Sequence, residues 1–414
     1  MIIAHASGRT LVLPPEERWY LLDSNKKRTG IHDHLRDLST FNTFFDLSKL
    51  RESIDVISMK EYMERVALAG LLSATPDPAK VQLLGTGADT KWVWKFLENT
   101  SYVRQWEPGK MFLAFNLTKV DTSITSWSKE SNKDDSVVNP DTGSTVRFGH
   151  IKYGQRAKLL ASHDRKLVPY DKTMDSYRAI FFPGDYRNTH RILTHFYSYV
   201  YFAEHKREHF YKRFVRDRLH YHDEIFCAAS KVLRLIHMDA ALVSGQPIPR
   251  TENNQTLGGD TNEGASFFAF HIRRGDFQFK ETRLPANQIW ESSKHLLDVK
   301  TPNNVKLIYI ATDEKDKNFF APFKNGFEVR FLENYYEKAG LNDLNQNHIG
   351  MIEQIVCANA HTFIGTPRST FTGYITRMRG YYRDDRYSRT FYTMDKEHHV
   401  LHTQTELKVF FLYA

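Results

Sequence analysis

Two arginines that could hold an anion follow an apolar run in the second half of the chain. Arg273 and Arg274 come directly after residues 267–272, and an arginine at a strand end can clamp a diphosphate through paired, charged hydrogen bonds. Because side chains alternate along a strand, we expect the two to point to opposite faces, which would leave one of them structural. Arg274, Gly275 and Asp276 also spell an adhesion tripeptide, but they follow a core strand and do not lie at a loop tip.

Two hydroxyls stand at a second candidate anion site. Ser369 and Thr370 follow the apolar residues 361–365 and a Gly-Thr-Pro-Arg turn, and they open the segment 371–378. This order predicts the N-terminus of a helix, where unpaired backbone N–H groups and the helix dipole favour phosphate. The alternative is an ordinary Ser/Thr helix cap, which has the same local sequence.

Two carboxylates complete the set of candidate side chains. Asp313 follows the apolar residues 307–311 and could accept hydrogen bonds from a nucleobase or a ribose; the alternative is a turn aspartate. Glu353 lies on a predicted helix that faces the last strand, and its alternative is a solvated surface charge.

Several other kinds of site are not indicated. The sequence contains no Asp-x-Asp, the usual metal site of one large class of sugar transferases, and no Gly-x-Ser-x-Gly. His32-Asp33-His34 and His398-His399 lack a surrounding ligand set, so we predict no bound metal. Gly85-Thr86-Gly87 lacks a third glycine and a preceding strand. The net charge of +8 suits a phosphate-bearing substrate, an acidic glycan or a membrane surface, but no strongly basic tract indicates nucleic acid.

The elements that must position these side chains form an alternating pattern. Apolar runs at 267–272, 307–311, 327–331 and 361–365 predict strands, and helices are predicted at 287–297, 315–323 and 349–359. In an open parallel sheet, ligands bind beyond the carboxyl ends of the strands. The polar residues at 273–276, 312–313 and 366–370 should therefore meet at one rim.

The first half of the chain also predicts mixed α/β structure. Residues 2–5 indicate the end of a helix closed by Gly8, and residues 10–13 a strand stopped by Pro14 and Pro15. Residues 190–236 predict long helical structure, whereas 121–145 and 244–265 have the composition of long loops. With 414 residues, two domains are expected, and we place them at 1–225 and 226–414.

The remaining signals bear on the cellular compartment. Cys227 and Cys357 stand among apolar neighbours, so we expect two buried free thiols, with one disulfide as the alternative. Sequons at Asn99, Asn116 and Asn254 support a secretory route only weakly. No run approaches the ~18 apolar residues of a membrane span, and the first residues do not form a signal peptide.

Together, these segments resemble the O-fucosyltransferase superfamily, in its plant-like and algal-like branch. The resemblance covers nearly the whole chain, and its C-terminal motifs are specific in combination. The segments that carry it are His271-Ile272-Arg273-Arg274-Gly275-Asp276-Phe277, Ile310-Ala311-Thr312-Asp313-Glu314, Phe363-Ile364-Gly365-Thr366, Ser369-Thr370-Phe371, Ile375, Arg377-Met378-Arg379-Gly380 and Gly8-Arg9-Thr10-Leu11-Val12-Leu13-Pro14-Pro15.

The resemblance implies a fold, a donor and a mechanism. It implies a GT-B-like α/β fold of two Rossmann-like domains with a donor cleft between them, the donor being held mainly by the second. It also implies GDP-fucose as donor substrate, no metal or other cofactor, and inversion at the anomeric carbon.

The resemblance further implies roles for individual residues. Arg273 would be catalytic, binding the β-phosphate and stabilising charge on the leaving group where other enzymes use a metal. His271 would help to seat the donor, and Asp313 would lie near the guanine or ribose. The other donor-binding residues that it implies are Asp276, Glu353, which occupies a position that is often acidic, and Ser369, Thr370 and Phe371, which would hold phosphates and base.

One departure from the family pattern concerns the start of the chain. The family normally opens with a strand and a Gly-rich, Asn-containing loop that contributes to donor binding and, in some members, holds the catalytic base. We expect this chain to begin after that loop, with 1–225 as an acceptor-side domain truncated at its start. Glu16 and Glu17 are acidic and near the expected cleft, but neither is assigned as the base.

Three functional hypotheses follow from the resemblance. The first is transfer of fucose to a hydroxyl of a protein or glycan in the lumen of the Golgi or endoplasmic reticulum, by a chain without a membrane anchor of its own. The second is transfer of rhamnose or another deoxysugar to a polysaccharide. The third, suggested by the missing loop, is a pseudoenzyme that binds the donor without transferring it.

Overall fold

The computed structural model describes most of the chain as two compact units, Met1–His220 and Tyr221–Ala414. The predicted domain boundary, between residues 225 and 226, falls in the first turn of a helix that begins at Asp223. The described residues are 1–15, 17–18, 38–39, 41–106, 111–115, 137–138, 145–146, 166–182, 200–202, 205–246, 265–275, 277, 279–297, 305–382 and 390–391.

The first unit contains short strands that pair mostly in parallel. β1 pairs with β4, β5 with β10, and β6 with both β9 and β11, all in parallel, whereas β2–β3 and β7–β8 are antiparallel. These strands are β1 (Leu11–Leu13), β2 (Glu17–Arg18), β3 (Leu38–Ser39), β4 (Val56–Ser58), β5 (Val103–Gln105), β6 (Met111–Phe115), β7 (Val137–Val138), β8 (Thr145–Val146), β9 (Lys166–Pro169), β10 (Ala179–Phe181) and β11 (Val200–Phe202).

The helices of the first unit begin and end at recognisable signals. Gly8, at φ 67°, closes the first helix as the sequence predicts, and Asp46 and Asp77 cap two others through their carboxylates. The helices are α1 (Ile2–Ser7), α2 (Phe41–Phe44), α3 (Leu47–Arg51), α4 (Met59–Tyr62), the π-helical turn Met63–Ala67, α5 (Pro78–Gln82), α6 (Lys91–Glu98), α7 (Lys172–Ser176) and α8 (His205–Arg218).

The second unit is built on a five-stranded sheet whose strands are all parallel. Its order is β14–β13–β12–β15–β16. The strands are β12 (Phe268–Ile272), β13 (Leu307–Thr312), β14 (Glu328–Arg330), β15 (Thr362–Gly365) and β16 (Thr390–Phe391), and the helices are α9 (Asp223–Ser244), α10 (Ala286–Ser293), α11 (Ile349–Ala358) and α12 (Thr370–Tyr382). Parallel sheets in both units confirm the predicted class of Rossmann-like α/β domains.

Both faces of the central strands are covered, which explains their nearly continuous apolar sequence. Phe268, Phe270 and Ile272 pack on one face with Trp290 of α10 and with Phe323. The alternate residues of β12 and β13 face the other side, towards α9 and α11, which contact each other and the sheet. This alternation sends His271 to the face opposite Ile272.

Three sequence predictions about elements are wrong in part. Val200–Phe202 is a strand, so the helical prediction for 190–236 holds only for α8 and α9, and residues 190–199 lie outside the described part. Lys317–Lys324 is a 3₁₀-helix because Pro322 lies inside it. The predicted helix 287–297 ends as a 3₁₀ turn after Ser293. Most of the predicted loops 121–145 and 244–265 lies outside the described residues.

The two cysteines form no disulfide with each other. Cys357 is buried, as predicted, but Cys227 is exposed on α9, so the prediction of two buried thiols is wrong for Cys227.

In the described ranges, no helix combines the length and the apolar character that a membrane crossing requires.

Candidate functional site

The end of β12 is held between two threonines at the ends of its neighbouring strands, Thr312 as the last residue of β13 and Thr366 directly after β15. On one side, Thr366 donates through its hydroxyl and its backbone N–H to the carbonyl of His271, both at 3.0 Å, and its hydroxyl accepts from the N–H of Arg273 at 2.8 Å. On the other side, the Thr312 hydroxyl donates to the Ile272 carbonyl at 2.7 Å. The backbone that leads to Arg273 is therefore fixed from both sides before the loop begins.

Asp313 holds the turn that follows. Its two carboxylate oxygens accept from the N–H groups of Arg274 and Gly275, at 2.7 and 2.8 Å. The Oδ2 atom also pairs with Nη1 of Arg273 at 2.6 Å, and both side chains are partly exposed. The described contacts of Asp313 are thus those of a carboxylate that orients Arg273 and its loop.

Gly275 is required for this arrangement. A Cβ at this position would lie 2.5 Å from the Oδ2 atom of Asp313, closer than side-chain carbons approach an oxygen. The Arg-Gly-Asp tripeptide therefore contains its glycine because the carboxylate of Asp313 comes this close. Asp276, predicted to bind the donor, lies outside the described residues.

Arg274 lies in different surroundings from Arg273. Its Nε donates to Glu314 at 2.8 Å, its Nη1 donates to the Leu284 carbonyl at 2.9 Å, and its guanidinium lies 4.0 Å from the ring centroid of Phe319. Its partners are a carboxylate, a carbonyl and an aromatic face, and together they join three segments of the unit. Arg274 is therefore the structural member of the pair that alternation predicts.

His271 is a buried, neutral imidazole behind Arg273. Its Nδ1 lies 2.7 Å from the Thr372 hydroxyl, and its ring stacks on Phe371 with centroids 4.5 Å apart. Burial, followed by the nearby positive charge of Arg273, lowers the pKa of His271 from 6.5 to about 3. The ring therefore takes part in hydrogen bonding without carrying a charge near neutral pH.

The start of α12 lies next to these groups in the fold. Phe371 and Thr372 of its first turn contact His271, and Ser369 accepts the first helical bond, from the Gly373 N–H at 2.9 Å. Ser369 is buried and Thr370 is exposed. The Ser369 Oγ accepts from the Thr372 N–H at 3.5 Å, as in a helix cap, and the N-terminus of a helix also favours an anion.

The turn before α12 has an unusual backbone. Arg368 has a φ of 60°, although it is not glycine, and its guanidinium pairs with Glu281 and lies 5.3 Å from the ring centroid of Phe279. A residue with a Cβ is strained in this region. These contacts join the turn to the loop that follows β12.

Glu353 does not lie with the strand-end groups. It is partly buried on α11 and accepts from the Tyr309 hydroxyl at 3.1 Å, and Tyr309 lies in mid-strand, ~10 Å before the end of β13. Burial raises the pKa of Glu353 from 4.5 to about 7, and the Tyr309 hydrogen bond acts in the opposite direction. Its described contact is with the sheet face below the rim.

Arg379 is a buried cation whose role local sequence does not indicate. It donates to the carbonyls of Ala358, Ala360 and His361, at 2.9, 2.5 and 2.8 Å. These carbonyls surround the C-terminus of α11 and the entry to β15, where a positive charge complements the helix dipole. Arg379 thereby fixes α12 against the strand that leads to the site.

The structure thus brings four predicted residues together at the carboxyl end of the sheet. They are His271, Arg273, Asp313 and Phe371, with Ser369 and Thr370 in the adjoining turn and first helical position. The sequence reasoning did not assign roles to Thr366 and Thr372, whose hydroxyls hold this arrangement. The signal for Thr366 was its position directly after a strand, the same position as Thr312.

Among the residues that the structure describes, no group of three or more His, Cys, Asp or Glu side chains is placed to hold a metal ion.

A parallel sheet with an arginine, a neutral histidine and a helix N-terminus at its carboxyl edge is typical of α/β proteins that bind phosphate-bearing ligands. Comparison with known families identifies the family within this class. The model of the GDP-fucose protein O-fucosyltransferase family matches residues 1–382. The chain belongs to this family of glycosyltransferases.

Two curated relatives match about a quarter of the chain. A GDP-fucose protein O-fucosyltransferase 2 of Plasmodium berghei (strain Anka) is 28% identical over 113 residues, 27% of this chain and 23% of the relative. A GDP-fucose protein O-fucosyltransferase 2 of Caenorhabditis elegans is 33% identical over 114 residues, 26% of this chain and 25% of the relative. The chain therefore spans about a quarter of the length of these relatives.

Solved structures of POFUT1 are also similar over most of the chain. Its complex with GDP-fucose aligns with 94% of this chain and 91% of its own, at 12% identity and a TM-score of 0.38. A complex with GDP aligns with 94% and 92%, at 13% identity and a TM-score of 0.37. These scores are too low to define the architecture of this chain.

Proposed function

We propose that this protein transfers fucose from GDP-fucose to a hydroxyl of a protein or glycan acceptor, with inversion and without a metal ion. The observation that carries the proposal is the position of Arg273. Its partly exposed guanidinium stands at the carboxyl end of β12, oriented by Asp313 and close to His271 and the start of α12. Membership of the GDP-fucose protein O-fucosyltransferase family supports GDP-fucose as the donor.

The proposed role of Arg273 follows from where charge develops in the reaction. When the bond between the anomeric carbon and the donor phosphate breaks, negative charge grows on the β-phosphate. A guanidinium held in place before the reaction stabilises that charge without reorganisation. The ion pair with Asp313 holds the Arg273 guanidinium at the end of β12, and a planar guanidinium matches the geometry of phosphate oxygens.

We further propose that the surrounding side chains hold the rest of the donor. Ser369 and Thr370 would donate to phosphate oxygens at the start of α12, and Phe371 would contact the base. Asp313 would combine its hydrogen bonds to the loop with a place near the guanine or ribose. The remaining members of the proposed set, carried over from the family resemblance, are His271, Asp276 and Glu353.

Inversion requires a single displacement at the anomeric carbon. The acceptor oxygen forms its bond to that carbon on the face opposite the departing GDP, and a base takes the proton of the acceptor hydroxyl. We assign no residue as this base. The proposed acceptor is a protein or its glycan, and the names of the family and of the two curated relatives support a protein. Its location in the secretory pathway is proposed from the family resemblance.

Nucleotide binding followed by turnover tests the proposal. GDP should raise the melting temperature of the protein more than UDP at equal concentration. With GDP-fucose and an acceptor, release of GDP and a fucosylated product should both be detected. Stabilisation by UDP and not by GDP would contradict the proposal that GDP-fucose is the donor. GDP binding with neither hydrolysis of GDP-fucose nor transfer of fucose would favour a pseudoenzyme. If GDP-rhamnose and not GDP-fucose were consumed, the proposal that fucose is the transferred sugar would be wrong.

A further inference from the structure

His271 is fixed by contacts of its ring and of its backbone carbonyl. Its Nδ1 is 2.7 Å from the Thr372 hydroxyl, and one ring face stacks on Phe371. Its carbonyl accepts two hydrogen bonds from Thr366. Both His271 and Thr372 are buried, at 5% and 0% exposure, so the contact between them is shielded from water.

The contact depends on a glycine in the neighbouring strand. A Cβ at Gly365, the last residue of β15, would collide with both Cγ2 and Oγ1 of Thr372. Gly365 lies directly beside His271 in the sheet register. The missing side chain therefore makes room for Thr372 to reach the imidazole, and two elements, β15 and α12, are shaped around this hydrogen bond.

We propose that Thr372 is a positioning residue that sets the protonation of the His271 ring. The Thr372 hydroxyl donates to Nδ1, so the ring proton resides on Nε2 and His271 acts as a neutral donor to an oxygen of the sugar nucleotide. The hydrogen bond from Nε2 to the sugar nucleotide rests on the proposed function, whereas the tautomer is a property of the protein without bound nucleotide.

The chemistry of the two groups supports this direction. A neutral imidazole has one donor and one acceptor nitrogen, and the partner of one nitrogen fixes the state of the other. Phosphate, ribose and sugar oxygens accept hydrogen bonds, so a ring nitrogen that faces a phosphate is useful only if it carries a proton. The low pKa of His271 excludes a ring that is protonated on both nitrogens near neutral pH.

Because Arg273 supplies a positive charge, His271 can act on the nucleotide as an uncharged hydrogen-bond donor. Arg273 lies two residues beyond His271, on the same side of the strand by alternation, and it supplies the positive charge at the site. A second cation beside it would be opposed by burial and by repulsion. A hydrogen bond that orients the phosphate without adding charge complements the guanidinium.

The opposite direction of the hydrogen bond is the competing possibility. Within helices, threonine hydroxyls often donate to the carbonyl one turn earlier. The Thr372 hydroxyl would then accept from Nδ1–H, and Nε2 would present a lone pair that repels phosphate. The two arrangements have the same heavy-atom positions but opposite tautomers, so spectroscopy distinguishes them.

The first measurement is the tautomer of His271 in the free protein. A long-range ¹H–¹⁵N correlation spectrum of ¹⁵N-histidine-labelled protein, with the His271 signals assigned by their loss in His271→Asn, should show the proton on Nε2. Detection of the Nδ1–H tautomer would overturn the proposal. GDP plays no part in this measurement, so its outcome is independent of the proposed function.

The second measurement compares three variants of α12. Thr372→Val removes the hydroxyl with little change of shape and should weaken GDP binding about tenfold, with a mixture of tautomers at His271. Thr372→Ser keeps the hydroxyl and should restore both properties. Thr376→Val is the matched control, because the Thr376 hydroxyl donates to the Gly373 carbonyl at 2.9 Å one turn later.

The outcomes separate the proposal from a merely structural role. If Thr372→Val binds GDP as the wild type does, or if it changes stability as much as Thr372→Ser while the tautomer stays fixed, Thr372 does not set the ring. If Thr372→Val does not fold, Thr372→Ser and the wild-type spectrum still decide the question. Failure of wild-type protein to bind GDP would contradict the proposed function and leave the tautomer assignment standing.

Discussion

The two faces of the sheet at the end of β12 give adjacent arginines different surroundings. On one face, Arg274 is enclosed by Glu314, the Leu284 carbonyl and the ring of Phe319. On the other, Arg273 pairs with Asp313 near the start of α12. This difference shows that residue type alone does not distinguish an arginine placed for a proposed phosphate site from an arginine with structural contacts. The face of the strand on which an arginine lies, and the side chains it contacts there, determine its surroundings.

The largest effect should come from Arg273→Ala. If this guanidinium stabilises the leaving group, its loss should lower kcat at least ~100-fold, the scale for removing one preorganised charge-stabilising group. Melting temperature should change little, because Arg273 is partly exposed. Steady-state rates of GDP release measure the effect, with Arg273→Lys as the control that keeps the charge but not the planar fork. Full activity in Arg273→Ala would remove its assigned role.

The next largest effect should be on stability, from Gly365→Ala. The added Cβ meets Thr372, so the strand and α12 must separate, at a cost of about 1–3 kcal/mol in the free energy of unfolding. Gly350→Ala is the matched control, since its Cβ would lie 3.5 Å from a ring carbon of Phe371, an ordinary contact. Urea denaturation compares the two. Equal stability of both variants would show that the face around His271 is less closely packed than described.

A smaller effect is expected from Arg274→Met, which leaves an apolar side chain of similar length beside Phe319. It removes the guanidinium that lies over this ring and donates to Glu314 and the Leu284 carbonyl. It should lower the free energy of unfolding by about 1 kcal/mol without changing the affinity for GDP. Arg65→Met is the comparison, because the Arg65–Glu61 pair is exposed and should be nearly neutral. A large loss of GDP affinity in Arg274→Met would mean that both arginines reach the donor.

The last effect appears only when the pH changes, and it concerns Glu353. Because burial raises its folded-state pKa to about 7 from 4.5, its stabilising contribution is complete below pH 4.5 and is lost as the pH rises through 7. Relative to Glu353→Gln, the wild type should therefore become less stable over this window. Tyr309, Cys357, Glu333 and Lys317 are the titratable groups that act on or near it. A constant difference between the two proteins from pH 4.5 to 8 would contradict the raised pKa.

The sequence predicts the second unit well because its strands are buried on both faces. Long apolar runs locate β12, β13 and β15, and strand alternation separates the two arginines correctly. The 3₁₀-helix at Lys317–Lys324 was harder to foresee, since Pro322 changes the helix type without changing the apolar spacing. The strand Thr390–Phe391 is too short to give a periodic pattern.

The sequence predicted which residues lie at the strand ends, but it did not indicate the contacts among them. Asp313 was expected at the nucleotide, and its described contacts are with the Arg273 loop. Glu353 was expected at the donor, and its described hydrogen bond is with Tyr309. Thr372 acts through a contact with His271, 101 residues away in sequence, which no local pattern encodes. Arg379 acts through backbone carbonyls at the end of α11 and the entry to β15, which the residue types there do not indicate.

Titration of GDP into wild-type protein, Arg273→Ala and Arg274→Ala, followed by calorimetry at one salt concentration, tests the central claim most directly. The account predicts that Arg273→Ala weakens binding at least about tenfold, while Arg274→Ala binds within about twofold of the wild type. Equal loss in both variants, or a greater loss in Arg274→Ala, would contradict the assignment of the donor site to the Arg273 face.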